Sequence, residues 1–495
     1  MTGVCLDSRR TRPGDLYAAL PGERVHGARF VDQARQGGAV AVLTDRQGLD
    51  LARQAATAGD PDVAVLVAED PRAVLGGISA QVYGDPSAAL RVVGVTGTNG
   101  KTTTTFLVES GFAAYGQRTA VLGTTGVRLR TETGIEVLPA ARTTPEAPEL
   151  AGVLAAMVER GIRSVAMEVS SHALALHRID GTHVDVAVFT NLGRDHLDFH
   201  HDMQTYFAAK ARLFTRGLSR AAVVNLDDPH GRRLATLAAA EGLEVHTYSS
   251  EGSAEGSPEG RPLADWWVVD RQVTDAGQHV LVRGPGQVSV ELVVALPGVY
   301  NVANALAALV ALVAAGVPVA VAATGIRGCT AVPGRLELVS QPGDPARVYV
   351  DYAHTPDAVR ALLTAVRPMT PRRLVVVLGA GGDRDRDKRP TMGAAAARGA
   401  DLVVVTDDNP RGEDPASIRT GLLAGARQVP AAARGELLEV PERRTAIRRA
   451  VALAGPGDVV LIVGKGHEQG QEIAGRIHLF DDRDEARAAL REVRG

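Results

Sequence analysis

The sequence predicts an α/β protein of three domains. Short apolar runs rich in Val, Ile and Ala alternate with helical segments along most of the chain, a pattern typical of mostly parallel sheets covered by helices. Turn-forming residues cluster at 83–87 and 333–334, which indicates domain boundaries there. A length of 495 residues suits about three domains. We therefore predict a small N-terminal α/β domain over residues 1–88, a central P-loop-type ATPase domain with a mostly parallel sheet over residues 89–332, and a C-terminal Rossmann-like α/β domain over residues 333–495.

Each predicted domain has its own series of strands. In the first, residues 15–20 follow a Pro-Gly turn, and residues 39–43 and 63–67 are expected to form buried strands. In the second, strands are predicted at 164–169, 185–189 and 221–224, helices at 149–160, 206–214 and 301–315, and antiparallel strands at 266–270, 279–283 and 288–294. In the third, strands are predicted at 347–350, 374–378, 401–406 and 458–463.

Composition excludes several classes of protein. The 54 basic and 57 acidic residues nearly balance, which argues against a nucleic-acid binder. Cys5 and Cys329 are the two cysteines, a usage typical of a reducing compartment and not of a disulfide or zinc scaffold. The N-terminus lacks the pattern of a signal peptide, and no apolar run approaches the ~20 residues that span a bilayer. We expect a cytoplasmic monomer without membrane or nucleic-acid partners.

A glycine-rich turn between a strand and a helix is the most informative stretch. Residues 92–103 read VVGVTGTNGKTT, in which an apolar run is followed by Gly97, Gly100, Lys101 and Thr102. Backbone N–H groups and a helix start of this kind wrap phosphates, the lysine reaches the outer phosphates and the Thr102 hydroxyl can bind Mg²⁺. The usual spacing requires a glycine where this chain has Val95, so the loop is a variant of the P-loop.

Two polar segments follow strands of the central domain. Glu168 ends a buried strand, where a carboxylate can bind Mg²⁺ beside a phosphate loop. Residues 190–201 hold several acids and histidines, including Asp195 and His196, but the absence of an accompanying cysteine or paired helical histidines favours magnesium over zinc. Lys210 lies on an amphipathic helix, where the pattern alone predicts a surface lysine.

A second site is predicted in the third domain. Polar loops follow three of its strands, and in open α/β sheets ligands bind beyond the carboxyl ends of strands. Arg384 and Arg411 can each bind a carboxylate through two parallel hydrogen bonds, while Asp408 and Glu468 can form ion pairs with ammonium groups. These charges suit a zwitterionic amino acid; a surface network of ion pairs is the alternative.

The ordered set of motifs resembles the Mur ligases, the ATP-dependent amide-forming enzymes that build the peptidoglycan stem peptide. The resemblance covers essentially the whole chain and rests on the variant phosphate loop at 94–102 and on segments 168–172, 191–198, 301–304 and 351–356. It also rests on the N-terminal segments 7–9 and 13–16. Within the family, residues 408–411 (DNPR) resemble the motif of the members that add diaminopimelate, and lysine-adding members differ there.

The resemblance implies site residues in all three domains. Matching positions for the UDP-MurNAc-L-Ala-D-Glu substrate are Leu6, Ser8, Thr143, Thr144, Ser170 and Arg178. Those for ATP are Gly97, Thr98, Asn99, Gly100, Lys101, Thr102, Thr103, Asn301, Asn304, Arg335, Asp351 and His354. Those for diaminopimelate are Arg384, Asp408, Asn409, Arg411, Gly464 and Glu468. Those around Mg²⁺ are Thr102, Glu168, His196 and Lys210, the last as an N-carboxylated lysine, which reverses the surface interpretation of that residue.

The implied activity is ligation through an acyl phosphate, with Lys101, Glu168, His196 and Lys210 as catalytic residues. By residue type, His196 and His354 are candidates for the base that deprotonates the attacking amine. The sequence does not distinguish meso- from LL-diaminopimelate. Because few residues precede Asp7, we expect the N-terminal strand or cap of other members to be missing. The alternatives are a MurF-like or folylpolyglutamate-synthetase-like ligase, and a P-loop regulatory protein that binds ATP without ligating.

Overall fold

The computed structural model of the chain describes residues 1–22, 24–55, 63–140, 142–251, 264–274 and 277–494. Within these ranges the protein forms three large β-sheets, each with helices packed against it, and one separate hairpin. This confirms the predicted α/β class and its three-part layout. Across the described ranges, no helix combines the length and the apolar character needed to cross a membrane.

The first sheet has four parallel strands in the order of the chain. Its strands are β1 Gly3–Cys5, β2 Asp15–Ala18, β3 Ala41–Thr44 and β4 Ala64–Val67, and its helices are α1 Val31–Gln36, α2 Arg46–Ala55 and α3 Pro71–Val82. A strand therefore does precede Asp7. The predicted strand at 63–67 forms, but the expectation that it is buried is wrong: Leu66 and Val67 are 40% and 47% exposed, because β4 is an edge strand with a neighbour on one side only.

The central sheet has eleven strands in the order β15-β14-β13-β12-β11-β10-β5-β9-β6-β7-β8. Its strands are β5 Arg91–Thr96, β6 Thr119–Gly123, β7 Gly126–Thr131, β8 Gly134–Leu138, β9 Ser164–Glu168, β10 Val184–Phe189, β11 Ser219–Asn225, β12 Glu244–Ser249, β13 Trp266–Thr274, β14 Gly277–Arg283 and β15 Ser289–Val294. Its helices are α4 Lys101–Ala114, α5 Ala147–Glu159, α6 Ser171–Ala175, α7 Leu197–His200, α8 Met203–Ala211, α9 Pro229–Ala240, α10 Tyr300–Ala314 and α11 Val319–Gly328.

The middle of this sheet is parallel and its two edges are antiparallel. Strand β5 lies between β10 and β9, both parallel to it, whereas β14, β15, β7 and β8 extend the edges as antiparallel hairpins. The predicted antiparallel strands after residue 265 are thereby confirmed. Helix α4 is buried on nearly all sides because it packs against both the sheet and helices α10 and α11. The phosphate loop follows β5 and therefore lies at the carboxyl ends of the central, parallel strands of this sheet.

The C-terminal sheet has six strands in the order β16-β17-β21-β18-β19-β20, all parallel except β16. Its strands are β16 Glu337–Leu338, β17 Arg347–Asp351, β18 Leu374–Leu378, β19 Leu402–Val405, β20 Glu436–Glu439 and β21 Val459–Val463; β22 Gly470–Ile473 and β23 Arg476–Leu479 form the separate hairpin. Its helices are α12 Pro356–Val366, α13 Lys388–Gly399, α14 Pro415–Gln428, α15 Arg443–Leu453 and α16 Asp482–Arg494. Strand β20, which the sequence pattern missed, closes one edge.

Candidate active site

The phosphate loop, residues 94–103, leaves β5 and enters α4 in a conformation that requires glycine. Gly97 and Gly100 have φ angles of 150° and 90°. A Cβ atom on Gly97 would lie 1.9 Å from the Thr190 hydroxyl oxygen, and one on Gly100 would lie 2.4 Å from Oδ1 of Asn304. Any larger residue at these two positions would be both strained and in collision with its neighbours.

A second loop, which follows β10, holds the phosphate loop in place. The backbone N–H of Thr98 donates to the Asn191 carbonyl at 2.9 Å, and that of Asn99 donates to Oδ1 of Asn191 at 2.9 Å. The Thr190 hydroxyl donates in turn to the Asn99 carbonyl at 2.6 Å. These contacts fix the shape of the loop before any ligand binds, as preorganised phosphate binding requires.

Two lysines, the half-buried Lys101 and the buried Lys210, contact the same carbonyl oxygen of the phosphate loop. Nζ of Lys101 lies 2.9 Å from the Gly97 carbonyl oxygen, and Nζ of Lys210 lies 2.8 Å from the same atom. Lys210 is only 1% exposed, and its Nζ lies 4.6 Å from the centre of the Tyr206 ring. The surface interpretation of Lys210 is therefore wrong. Burial, together with the charge of Lys101, holds the pKa of Lys210 well below its usual value.

Glu168, at the end of β9, presents one oxygen to the protein and leaves the other without a partner. Its Oε1 accepts hydrogen bonds of 3.0 Å from the Thr102 hydroxyl and from the N–H and hydroxyl of Thr124. Its Oε2 is buried and has no hydrogen-bond partner. A buried carboxylate oxygen of this kind, next to a threonine hydroxyl, fits a hard divalent cation such as Mg²⁺, which completes its shell with water and phosphate oxygens.

His172, His196 and His200 of the central domain pack their rings against one another. Across the described ranges, no group of three or more His, Cys, Asp and Glu side chains could hold a metal ion. His196 lies against His172 with ring centroids 4.8 Å apart. Burial lowers the pKa of His196. Burial by itself would raise the pKa of Asp195, but the groups that face this carboxylate, His196 first among them, lower it instead.

A cavity of about 290 Å³, the nucleotide cavity, opens beside the phosphate loop. It lies between the central and C-terminal sheets and contains all five residues that the resemblance places around the nucleotide outside the loop. Two tyrosines that sequence reasoning missed, Tyr248 and Tyr300, also line it. No motif marks them, because an aromatic residue on a strand or at a helix start is usually part of a core. The residues matched to the nucleotide here are Asn301, Asn304, Arg335, Asp351 and His354.

A cavity of about 180 Å³, the rim cavity, lies at the carboxyl ends of the C-terminal strands. The three polar loops of that domain meet here, and residues 195–198 of the central domain form the facing wall. Arg411 has a φ of 53° and donates from Nη1 to the Gly382 carbonyl at 2.8 Å. The six residues matched to diaminopimelate all line this cavity: Arg384, Asp408, Asn409, Arg411, Gly464 and Glu468.

The hairpin of β22 and β23 supports the rim cavity from outside, a role that the sequence did not reveal. The Arg411 N–H donates to the Glu472 carbonyl at 3.0 Å, and the Glu472 carboxylate lies 3.3 Å from Nε of Arg411. The Gln471 side chain donates to the Asp408 carbonyl at 2.7 Å. The hairpin thereby holds the backbone of segment 408–411 in position.

The two cavities are joined by side chains that cross between domains. Arg335 donates to the Thr102 hydroxyl at 2.7 Å, and its guanidinium lies 4.6 Å from the centre of the Tyr352 ring. Nε2 of His467 lies 2.9 Å from the Thr124 carbonyl oxygen, and burial holds the pKa of His467 at about 4, so the neutral imidazole donates this hydrogen bond. His354 lines both cavities.

The positions matched to UDP-MurNAc-L-Ala-D-Glu fall into two groups. Thr144 donates to the Glu168 carbonyl at 2.8 Å and accepts from the Ser170 N–H at 3.1 Å. Arg178 lies beside them, with Nη1 3.5 Å from the Thr144 carbonyl oxygen, and Thr143 precedes Thr144 in the chain. Two others lie apart, in the N-terminal domain just after β1: the Ser8 hydroxyl donates to Oε1 of the Gln33 side-chain amide at 2.7 Å, and Leu6 is half-buried.

The fold and the site together define an ATP-dependent ligase. The nucleotide cavity lies beside a P-loop-type phosphate loop, and the rim cavity, which is lined by both cationic and anionic side chains, suits an amino acid. Family models match three segments of the chain: the Mur ligase family catalytic domain at residues 1–83, the Mur ligase middle domain at 95–312, and the Mur ligase glutamate ligase domain at 334–466. The chain belongs to the Mur ligase family.

Similar proteins span the whole chain. It is 50% identical to the UDP-N-acetylmuramoyl-L-alanyl-D-glutamate–2,6-diaminopimelate ligase of Streptomyces avermitilis, over 100% of this chain and 93% of the relative. It is 45% identical to the UDP-N-acetylmuramyl-tripeptide synthetase of Leifsonia xyli, over 100% and 92%. A solved structure of a UDP-N-acetylmuramoyl-L-alanyl-D-glutamate–2,6-diaminopimelate ligase is 34% identical and superposes with a TM-score of 0.67, covering 100% of this chain and 96% of that one.

Proposed function

We propose that this ligase adds diaminopimelate to the side-chain carboxylate of D-Glu in UDP-MurNAc-L-Ala-D-Glu, with the hydrolysis of ATP to ADP and phosphate, in peptidoglycan synthesis. The observation that carries the proposal is the rim cavity, which brings the guanidinium groups of Arg384 and Arg411 and the carboxylates of Asp408 and Glu468 around one space; Lys388, Asp195, Asp198 and Asp385 also line it. A diamino dicarboxylate offers two ammonium and two carboxylate groups, and the cavity has partners for both kinds. The names of the relatives support the same substrates.

The first chemical step is transfer of the γ-phosphoryl group. A carboxylate oxygen of D-Glu forms a bond to the γ-phosphorus, the bond to the ADP oxygen breaks, and an acyl phosphate results. Lys101 and the N–H groups of the phosphate loop would neutralise the charge on the transferring group. Thr102 and Glu168 would hold Mg²⁺, with His196 and Lys210 at its margin, and the ion would supply further positive charge on the phosphate oxygens. Thr144 and Ser170, which lie next to Glu168, would position the D-Glu carboxylate that receives the phosphoryl group.

The second step is attack of the amine on the acyl carbon. The C–N bond forms, the C–O bond to phosphate breaks, and the nitrogen loses a proton. His354 is suited to accept it: its Nδ1 lies 2.8 Å from the Tyr352 carbonyl oxygen and must donate there, which leaves Nε2 as the acceptor. Burial lowers the pKa of His354, so the imidazole is neutral. Burial lowers the pKa of His196 as well, so its imidazole is also neutral and it is the second candidate.

Lys210 is suited to carboxylation by CO₂. The reaction joins a neutral amine to CO₂, gives a carbamate and releases a proton, so a lysine with a depressed pKa is the reactive form. Two ammonium groups that share the Gly97 carbonyl repel one another, whereas a carbamate on Lys210 would form an ion pair with Lys101. The carbamate would also add an anionic oxygen ligand for Mg²⁺. We further propose that a single chain forms the complete site and that the enzyme acts as a monomer.

The direct test is a ligation assay with UDP-MurNAc-L-Ala-D-Glu, ATP and Mg²⁺, with meso-diaminopimelate, LL-diaminopimelate, L-lysine or D-Ala-D-Ala as acceptor. We expect phosphate release and a UDP-MurNAc-tripeptide with a diaminopimelate isomer, and little with the others. Turnover with D-Ala-D-Ala alone would indicate a MurF-like ligase. Activity with a folate and glutamate in place of these substrates would indicate a folylpolyglutamate-synthetase-like enzyme, and ATP binding without turnover would indicate a regulatory protein.

A further inference from the structure

Lys465 is a fully buried lysine that the steps above do not use. It lies in the loop after β21, between Gly464 and Gly466, and its side chain is 0% exposed. Its Nζ lies 2.9 Å from Oδ1 of Asn409 and 3.0 Å from Oε2 of Glu468. An ammonium group is rarely buried unless it is paired. Both partners of Lys465 line the rim cavity, so we expect the role of this lysine to concern that cavity.

The first consequence concerns the side-chain amide of Asn409. Its oxygen and nitrogen have nearly the same shape, so neighbouring groups decide which way the amide faces. Oδ1 accepts from Lys465 and also from the Glu472 N–H at 3.0 Å. The opposite orientation would place the amide N–H₂ against these two donors. Lys465 therefore keeps the nitrogen of Asn409 on the side of Glu468, where Nδ2 donates to Oε2 at 2.9 Å.

The second consequence concerns the carboxylate of Glu468. Its Oε2 is occupied by both Lys465 and Asn409, which leaves Oε1 as the acceptor for a ligand. The side chain is 34% exposed, and both Glu468 and Asn409 line the rim cavity. An amide nitrogen has two N–H bonds, of which Asn409 uses one. The cavity thus has one donor and one acceptor side by side, in an arrangement that the buried ammonium imposes.

We infer that Lys465 is a positioning residue that determines the order of hydrogen-bond donor and acceptor in the rim cavity, and so the selectivity for amino acids with a second ammonium and a second carboxylate. The inference rests on the proposed function and adds a specificity determinant to it. Without the ammonium, Asn409 keeps the Glu472 N–H as the donor to its Oδ1, and Glu468 keeps the Asn409 amide as the donor to its Oε2. Both side chains are then held by fewer contacts, so the cavity should lose part of its preference for a diamino dicarboxylate over a ligand that lacks one of these groups.

The test compares wild type, Lys465→Met and Lys465→Gln in the ligation assay, with diaminopimelate, L-lysine and 2-aminopimelate as acceptors. L-lysine lacks the second carboxylate, and 2-aminopimelate lacks the second amine. For Lys465→Met we expect kcat/KM for diaminopimelate relative to each analogue to fall roughly tenfold or more, with KM for ATP unchanged. Lys465→Gln keeps a donor for Asn409 and should retain more of the selectivity than Lys465→Met.

A ratio of kcat/KM values does not depend on how much of the enzyme is folded, so partial misfolding leaves the test valid. Arg373→Met is the matched control, because it breaks the 2.7 Å ion pair with buried Asp458 at the opposite end of the same strands. It should lower stability without changing the selectivity ratio. If both Lys465 variants keep the wild-type ratio, Lys465 is a structural residue and the inference is wrong. If wild type itself makes no product with diaminopimelate, the proposed function fails instead.

Discussion

The central and C-terminal sheets each place a cavity beyond the carboxyl ends of parallel strands, but they build it in different ways. In the central domain, one continuous segment forms the phosphate loop, and two lysines, the half-buried Lys101 and the buried Lys210, contact its Gly97 carbonyl. In the C-terminal domain, side chains from three separate loops line the rim cavity, and a hairpin and a buried lysine hold them in position. Under the proposed function, the first region would bind the ATP that drives ligation, and the second would select the amino acid.

The largest effect is expected from the central region. Lys101→Ala should reduce kcat for ligation by roughly 10²- to 10³-fold, because it removes a preorganised positive charge from the phosphoryl group in the transition state. Steady-state phosphate release would measure this, with the thermal unfolding midpoint as the control for folding. Ligation at the wild-type rate would exclude the phosphate-loop assignment.

Lys210→Ala probes the same region in a different way. We expect a loss of about 10²-fold in kcat, because the variant lacks both the amine and the carbamate that it would carry. Short carboxylic acids such as acetate or formate should restore part of the activity to this variant, and leave that of wild type and Lys101→Ala unchanged. Full activity of Lys210→Ala without added acid would contradict carboxylation.

His467→Ala tests the connection between the two regions. The substitution removes the hydrogen bond from Nε2 to the Thr124 carbonyl, and Thr124 in turn holds Oε1 of Glu168. A neutral hydrogen bond contributes about 1 kcal/mol, so we expect kcat to fall by roughly fivefold. His467→Gln can still donate from its side-chain amide and should lose less. Equal activity in both variants and wild type would mean that the two domains are aligned by other contacts, such as the one from Arg335.

The contrast between the regions also explains what the sequence could predict. The phosphate loop was predictable because its chemistry depends on adjacent residues, Gly97 through Thr102. The rim residues Arg411 and Glu468 were predictable as charges that follow strands, since parallel strands bring such loops to one edge. The supporting residues Gln471, Glu472 and Lys465 were not, because each contacts Asp408 or Asn409 from more than fifty residues away in the chain and their own types suggest a surface position.

The burial of Lys210 shows the same limit. Helix α8 has no pronounced apolar face, and a lysine near its end is usually exposed. Its burial results from tertiary packing, in which the helix lies beneath the phosphate loop and the Tyr206 ring contacts the ammonium. The edge position of β4 is a similar case, because an apolar run of four residues has the same appearance in the middle and at the edge of a sheet.

The measurement that tests the division between the two regions most directly is the KM of Arg411→Ala for each substrate. Removing a charge-assisted contact of this kind should raise KM for diaminopimelate by roughly 10- to 100-fold, while KM for ATP stays within about twofold of wild type. Arg386→Ala, which changes a side chain that is 72% exposed on a neighbouring loop, is the matched control and should leave both values unchanged. An equal rise in both KM values for Arg411→Ala would contradict the assignment of the rim cavity to the amino acid.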